Sequence, residues 1–244
     1  MSKSILFELS KRNKFLRKVY IFYNIYIRNR KFLKNGSQFG EDKFILNLFL
    51  DDYKGKYIDL GCYHPTRHSN TNILYQNGWT GINIDLNPLA IELFNYMRPR
   101  DINCNVCVSN SEEERDLYFI DEFNTQNTID SNQLNFLKNH HNITDNEISK
   151  KKIKTKILDE ILIENNFYDI DFFNIDIEGN ELEVIETLDF DKFKIKYICI
   201  EMITHNEISV KKSKVIENIL ANNKFKIIKK FGFNHIYKNS LILE

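Results

Sequence analysis

Four acidic side chains follow three apolar runs of this sequence, each at the point where a run ends. Asp59 ends the first run, Asp85 the second, and Asp176 and Glu178 the third, while Gly61 lies just beyond the first acid. Buried carboxylates require a partner or a ligand, and ligands of open α/β sheets bind beyond the carboxyl ends of the strands. The three segments therefore predict one ligand cleft that is lined with carboxylates.

The first two segments favour a nucleoside as the ligand. Gly61 lets the main chain approach a ligand because it has no Cβ. Asp85 could accept hydrogen bonds from both hydroxyls of a ribose, or it could cap the helix that begins near Pro88. Asp176 or Glu178 could likewise cap the helix after the third run. No G-x-G-x-x-G sequence follows the first run, which disfavours a nicotinamide-dependent oxidoreductase.

Short apolar runs alternate with helical patterns through most of the chain, which predicts an α/β fold with a mostly parallel sheet. The seven predicted strands span 56–60, 81–86, 102–108, 172–177, 196–202, 225–229 and 235–237. The predicted helices span 42–50, 72–76, 89–97, 158–165, 181–188 and 210–222.

Two connections in this pattern differ from the rest. Only a short turn around Gly232 separates the last two runs. It leaves no room for a crossover helix, so we expect an antiparallel hairpin at one edge of the sheet. Residues 121–155 are rich in Asn, Thr, Gln and Lys, with one predicted helix at 133–138. A connection of this length is expected to be a functional loop or lid, or to be disordered.

The amino-terminal segment is strongly basic. Residues 1–34 carry ten basic side chains and one acid, although the whole chain has a net charge of zero. Apolar residues recur within 11–34 at helical spacing, which predicts an amphipathic helix. Such a helix could dock on the core or on a partner copy, or lie on an anionic membrane surface; nucleic acid is the least favoured partner. We expect a helical arm at 1–36 and a separate α/β domain at 37–244.

The cysteines do not predict a metal site. Cys104 and Cys107 form a C-x-x-C sequence inside a predicted strand, where side chains three residues apart point to opposite faces. The first ten residues lack the apolar stretch of a secretory signal. We therefore expect a cytoplasmic protein with free thiols and no metal.

Several motifs together resemble the FkbM-type methyltransferases, class I enzymes that use S-adenosylmethionine (AdoMet). The resemblance extends in order over residues 37–202, and its most specific part, residues 170–182, is similar to the family sequence IDxLKIDVEGxEL. Cys62 and Asn174 depart from the residues that are usual at their positions. The other similar segments are 37–42, 61–65 with 69–71, 78–85, 98–103 and 155–162.

The resemblance implies a Rossmann-like class I methyltransferase fold, with a seven-stranded, mostly parallel sheet, an antiparallel edge hairpin and an added amino-terminal helix. It also implies an AdoMet site at three strand ends. The implied cofactor-binding residues are Gln38, Asp42, Asp59, Gly61, Ser69, Asn70, Asp85, Val108, Ser109 and Asp176.

The resemblance favours a hydroxyl group as the methyl acceptor, and a base near the methyl group would take its proton. We expect this base to be Asp176 rather than His64, whose ordinary pKa also suits a base but which could instead be structural. Glu178 is a further catalytic candidate. The expected acceptor-binding residues are Asn127, Thr128, Glu201 and His205.

The acceptor suggested by the polar segment at 121–155 is a sugar, in a cell-surface glycan or its precursor. The basic arm would suit peripheral contact at the inner face of a membrane through residues 11–34. The alternative from another class is a non-catalytic scaffold that binds AdoMet or a glycan.

Overall fold

The computed structural model describes residues 5–34, 36–121, 124, 127–140, 143–202, 204 and 206–242. The strands among these residues are β1 Lys56–Leu60, β2 Thr80–Asp85, β3 Ile102–Asn105, β4 Cys107–Val108, β5 Glu114–Phe119, β6 Ser149–Lys156, β7 Asp169–Ile175, β8 Lys194–Glu201, β9 Phe225–Phe231 and β10 Asn234–Asn239. The α-helices are α1 Ile5–Ser10, α2 Lys14–Phe22, α3 Glu41–Leu46, α4 Asn72–Gln76, α5 Pro88–Met97, α6 Ser131–His140, α7 Leu158–Glu164, α8 Glu181–Thr187 and α9 Glu207–Asn222.

Seven strands form the central sheet in the order β3-β2-β1-β7-β8-β10-β9. The first five are parallel, and β10 runs antiparallel to both β8 and β9. This confirms the predicted class I methyltransferase-like α/β fold with an antiparallel edge pair. Because β1, β2 and β7 are parallel neighbours, their carboxyl ends meet at one edge of the sheet. That edge brings the three predicted acidic segments together.

The central strands are buried on both faces, which explains their short continuous apolar runs. On β1, Ile58 belongs to one core cluster and Tyr57 to the other, and the neighbouring residues of β7 alternate in the same way. Helices α7, α8 and α9 supply apolar residues to the first cluster, while α3 and α4 supply the second.

The described residues of the segment at 121–155 include a helix, α6, and a strand, β6. β6 pairs antiparallel with β5 and parallel with β4, which makes a second, three-stranded sheet. Helix α6 is longer than the predicted helix at 133–138. β6 is rich in lysine and mostly exposed, so no apolar run marks it in the sequence, and it forms a strand where the sequence predicts a loop, a lid or disorder.

The amino-terminal arm begins with α1 and α2, and a π-helix at Tyr23–Arg28 follows directly. Tyr20, Ile21 and Ile25 of the arm are buried together with Leu89 and Leu93 of α5. The structure thus shows the arm docked on the core, one of the alternatives for residues 11–34. Among the described residues, no helix is long and apolar enough to cross a membrane.

Candidate functional site

A cavity of about 270 Å³ lies at the carboxyl ends of β1, β2 and β7. Four acids predicted from the strand ends, Asp59, Asp85, Asp176 and Glu178, line it together. Other predicted residues that line it are Gln38, Gly61, Ser69, Val108, Asn127 and Glu201.

Gly61 allows the loop after β1 to cross directly beside the end of β7. Its φ is +80°, and a Cβ at this position would stand 1.7 Å from the carbonyl oxygen of Asp176. The amide of Gly61 donates to the carbonyl of Ile84, and the amide of Asp176 donates to the carbonyl of Leu60. The ends of three strands are therefore tied together around a position that only glycine fits.

Asp85 organises the loops on two sides of the cavity. One carboxylate oxygen accepts from the amide of Tyr63 at 2.8 Å and the other from the amide of Asn87 at 2.7 Å. Burial raises the pKa of this carboxyl to about 6. The cap of α5 is Asn87, whose side chain accepts from the amide of Leu89. Asp85 therefore does not cap the helix, and its carboxylate faces the cavity.

The opposite wall of the cavity carries three carboxyl groups, those of Asp176, Glu178 and Glu201. Burial, and then the charges of Glu181 and Asp59, raise the pKa of Asp176 to about 7. Burial, and then Asp176, raise the pKa of Glu178 to about 8. Burial and the same neighbouring acids also raise the pKa of Glu201. The wall therefore holds three buried carboxyl groups, and a bound cation would favour their ionised forms.

Hydrogen bonds with side chains of α8 and α6 fix the turn that carries Asp176 and Glu178. Glu181, in the first turn of α8, accepts from the amides of Ile177 and Gly179, both at 3.1 Å. Gln133 of α6 donates to the carboxylate of Glu178 at 3.2 Å. Neither Asp176 nor Glu178 caps α8, because the residue at the cap position is Asn180.

Below the cavity, Asp59 is fixed by its neighbours. One oxygen accepts from the Asn174 amide at 3.0 Å and the other from the Thr71 hydroxyl at 2.5 Å. Asn70 donates in turn to the Asn174 side chain at 2.9 Å. Burial raises the pKa of Asp59. Asp59 thus forms part of the floor with both oxygens already bonded to the protein.

Arg98 is a positioning residue that the sequence did not identify. Its side chain is fully buried. Its guanidinium donates to the carbonyl of Pro65 at 2.5 Å, the hydroxyl of Ser69 at 2.9 Å and the hydroxyl of Thr71 at 2.8 Å. Arg98 therefore fixes the loop after β1 from beneath. The only sequence signal was its place in the family-like segment 98–103.

His64 lies behind this loop and does not line the main cavity. Its Nδ1 accepts from the amides of Thr66 and Arg67 at 3.1 and 3.0 Å, so Nε2 carries the proton and faces the side-chain oxygen of Asn24 at 3.1 Å. Burial, and then the charge of Arg67, lower its pKa to about 3. Both ring nitrogens are hydrogen-bonded within the protein, so this geometry favours a structural role for His64 over a role as the base.

Four other predicted residues lie behind the cavity walls. Asp42 accepts from the Ser37 hydroxyl, and Ser109 donates to Glu183. Asn70 supports Asn174, and the Thr128 hydroxyl donates to the carbonyl of Glu178. His205 lies outside the described residues.

The cavity also includes residues that the sequence patterns did not single out. These are Tyr63, Arg67, His68, Asn87, Asn180 and several apolar residues. Most lie in the loops after β1 and β2, where no periodicity marks the side chains that turn inward. Within the described part of the chain, no cluster of three or more His, Cys, Asp or Glu residues could hold a metal ion.

Comparison with known proteins gives a family match over most of the chain. The model of the Methyltransferase FkbM domain matches residues 59–227. No curated protein matches.

Similar solved structures are distant in sequence. The FkbM methyltransferase of Methylobacillus flagellatus is 12% identical with a TM-score of 0.45, over 96% of this chain and 57% of that one. This chain thus spans little more than half of that relative. A TehB-like SAM-dependent methyltransferase of Corynebacterium glutamicum is 12% identical with a TM-score of 0.45, over 91% of this chain and 100% of that one. Fibrillarin of Methanococcus jannaschii is 14% identical with a TM-score of 0.39, over 78% and 69%.

Proposed function

This chain belongs to the FkbM methyltransferase family, and from that premise we propose that it uses AdoMet to methylate a hydroxyl group. The acceptor we propose is a sugar of a cell-surface glycan or its precursor. The observation that carries the proposal is the cavity at three strand ends, whose walls hold Asp85 on one side and Asp176 and Glu178 on the other.

The residues present fit AdoMet, which combines a ribose and an adenine with a sulfonium and an ammonium. Asp85 would accept from the ribose hydroxyls, because its carboxylate lines the cavity while the loop amides hold it in place. Val108 would contact the adenine, and Gln38 and Ser69 the methionine part. The carboxyl groups of the opposite wall suit a positively charged ligand.

When bound, AdoMet would supply an electrophilic methyl group, which would pass to the acceptor oxygen and leave S-adenosylhomocysteine as the second product. The protein contributes mainly the relative position of donor and acceptor. Asp176 would accept the proton of the acceptor hydroxyl at its carboxylate. Its raised pKa, about 7, suits a base that works near neutral pH, and a bound cation would favour its ionised form.

The acceptor would enter beside Asp176, where polar groups line the cavity. Asn127 and Glu201 lie among these lining residues. The amide oxygen of Asn127 already accepts from the amide of Ile120, and its nitrogen donates to the carbonyl of Asp121. Asn127 would thus shape the acceptor side of the cavity, and Glu201 would accept a hydrogen bond from a hydroxyl of the sugar.

The test is transfer of labelled methyl from AdoMet to a panel of sugars and glycan precursors, with amines and carboxylic acids as comparison acceptors. The proposal expects label on a sugar oxygen. It expects turnover to fall about a hundredfold or more in Asp176→Asn, a larger factor than any loss of AdoMet affinity in the same variant. Asp51→Asn, at an exposed turn, is the matched control. AdoMet binding without transfer to any acceptor would favour the scaffold alternative, and label on an amine would contradict O-methylation.

A further inference from the structure

Helix α2 has two apolar sides, and only one of them is covered. Tyr20 and Ile21 are buried against α5. On the other side, Phe15, Val19 and Phe22 lie at i, i+4 and i+7, the spacing of a single stripe along a helix. Phe15 is 72% exposed and Phe22 is 48% exposed. The stripe therefore lies on the solvent side of a helix whose inner side is already packed.

The stripe continues past the end of α2. The ring of Tyr26 in the π-helix lies 5.0 Å from the ring of Phe22, and Ile27 is exposed. Lys14 and Lys18 each precede a residue of the stripe, so they lie along its border, and both are exposed. We call Phe15, Val19, Phe22, Lys14 and Lys18 the outer face of α2.

We infer that the outer face of α2 is a docking surface for an anionic lipid bilayer. Exposed aromatic rings bordered by lysine are the composition of helices that lie in a membrane interface. The ten basic residues and one acid of residues 1–34 give this end of the chain a net charge of +9. Since the whole chain is neutral, the remainder is equally acidic, and an anionic surface would attract the arm and repel the rest.

A second copy of the chain is a poorer occupant of this face. A symmetric contact between two outer faces would bring together two arms that each carry a net charge of +9. The like charges would then be brought together as water is removed, which is unfavourable. Phosphate groups of a bilayer would instead neutralise them, while the rings enter the boundary between headgroups and acyl chains.

The arm is joined to the rim of the cavity, so docking would set the position of the cavity relative to the lipid. Asn24 of the π-helix contacts His64 in the loop after β1. The ring of Phe32 lies 5.3 Å from the ring of His68, which lines the cavity. The inference does not rest on the proposed methyl transfer, and it would hold for any ligand of the cavity.

Sedimentation with vesicles tests the inference on the full chain. Vesicles rich in phosphatidylglycerol should bind the protein, vesicles of phosphatidylcholine should not, and binding should weaken between about 0.1 and 0.5 M salt. Lys14→Glu with Lys18→Glu should lower the partition coefficient about tenfold or more. The matched control, Lys211→Glu with Lys214→Glu, removes the same charge from exposed positions of α9 and should change it far less.

Substitutions of Phe15 and Phe22 test the apolar part of the outer face of α2. Phe15→Ser with Phe22→Ser should also lower binding to the anionic vesicles about tenfold or more, while Leu50→Ser, at an exposed loop position, should leave it near the parent value. Deleting the arm is a poor test because it would uncover Leu89 and Leu93 of α5. Unchanged thermal unfolding of each variant confirms that the fold is intact.

Two kinds of result would overturn the inference, one from the vesicle assay and one from the oligomeric state. In the vesicle assay, these are the absence of binding to anionic vesicles by the folded parent protein and equal binding by the Lys14/Lys18 and Lys211/Lys214 variants. In analytical ultracentrifugation, it is a dimer that Phe15→Ser with Phe22→Ser converts to a monomer. The dimer would assign the outer face of α2 to a second copy of the chain.

Discussion

The side-chain amide of Asn174 donates a 3.0 Å hydrogen bond to the carboxylate of Asp59 and so links the carboxyl ends of β7 and β1. The two residues face each other in the parallel register of these strands. Asn70, from the loop after β1, donates to the oxygen of the same Asn174 side chain. One amide thus joins two strands and a loop under the floor of the cavity.

Replacing Asn174 with Leu should destabilise the fold by about 2–3 kcal/mol, because it leaves buried groups of Asp59 and Asn70 without partners. Urea denaturation measures the change in the free energy of unfolding. Asn222→Leu, at an exposed position of α9, should change stability by less than about 0.5 kcal/mol. Equal effects of the two substitutions would show that the link does not stabilise the floor.

Alanine substitutions at Gly61 and Gly40 distinguish the cost of a close contact from the cost of backbone strain. Both have a positive φ, but a Cβ on Gly61 would meet the carbonyl oxygen of Asp176 at 1.7 Å, whereas a Cβ on Gly40 would meet nothing within 4 Å. Gly40→Ala should cost about 1 kcal/mol from backbone conformation alone. Gly61→Ala should cost about 3 kcal/mol or more, since the end of β7 must also move. Thermal unfolding compares them, and similar costs would contradict the close approach at Gly61.

The raised pKa values of Asp176 and Glu178 predict that the ligand-free protein loses stability as the pH rises. Both groups release protons near pH 4 in the unfolded chain, but at about 7 and 8 in the folded one. Between these limits the folded state binds more protons, so the free energy of unfolding should fall by about 2 kcal/mol or more from about pH 5 to pH 8.

Denaturant titrations across this pH range measure the slope directly. Asp176→Asn removes one of the two groups and should make the slope shallower, whereas Asp51→Asn, at an exposed turn, should leave it unchanged. A slope that is flat in the parent protein, or identical in both variants, would show that these carboxyl groups are not held protonated by burial.

Asp85→Asn should lower the affinity for AdoMet about tenfold or more, because a charged acceptor is lost. The new amide nitrogen would also face a main-chain N–H, of either Tyr63 or Asn87, which now donates to the carboxylate. Asp52→Asn, at an exposed turn, is the control. Calorimetric titration of both variants measures the affinities, and parent-like binding by Asp85→Asn would remove Asp85 from the site.

The buried part of the fold can be predicted from the sequence because burial on both faces concentrates apolar residues in short runs, as in β1 and β7. The hairpin of β9 and β10 follows from the short connection at Gly232. β6 escaped prediction for the opposite reason, since its lysines are exposed and its stability comes from pairing with β5.

The candidate site likewise has residues that the sequence predicts and residues that it does not. Asp59, Asp85 and Asp176 could be brought together from sequence because parallel strands align their carboxyl ends. His64 and Arg98 could not be placed, because their roles depend on contacts with residues distant in the chain. Asn24 faces His64 from the arm, and Pro65 receives the guanidinium of Arg98. Such contacts leave no periodic signal.

The central claim is that the carboxylate-lined cavity binds AdoMet, and calorimetric titration of the purified protein tests it most directly, with NAD as the comparison ligand. The account predicts micromolar binding of AdoMet at one site per chain and no heat with NAD. Folded protein that binds NAD, or that gives no heat with AdoMet at several temperatures, would contradict it.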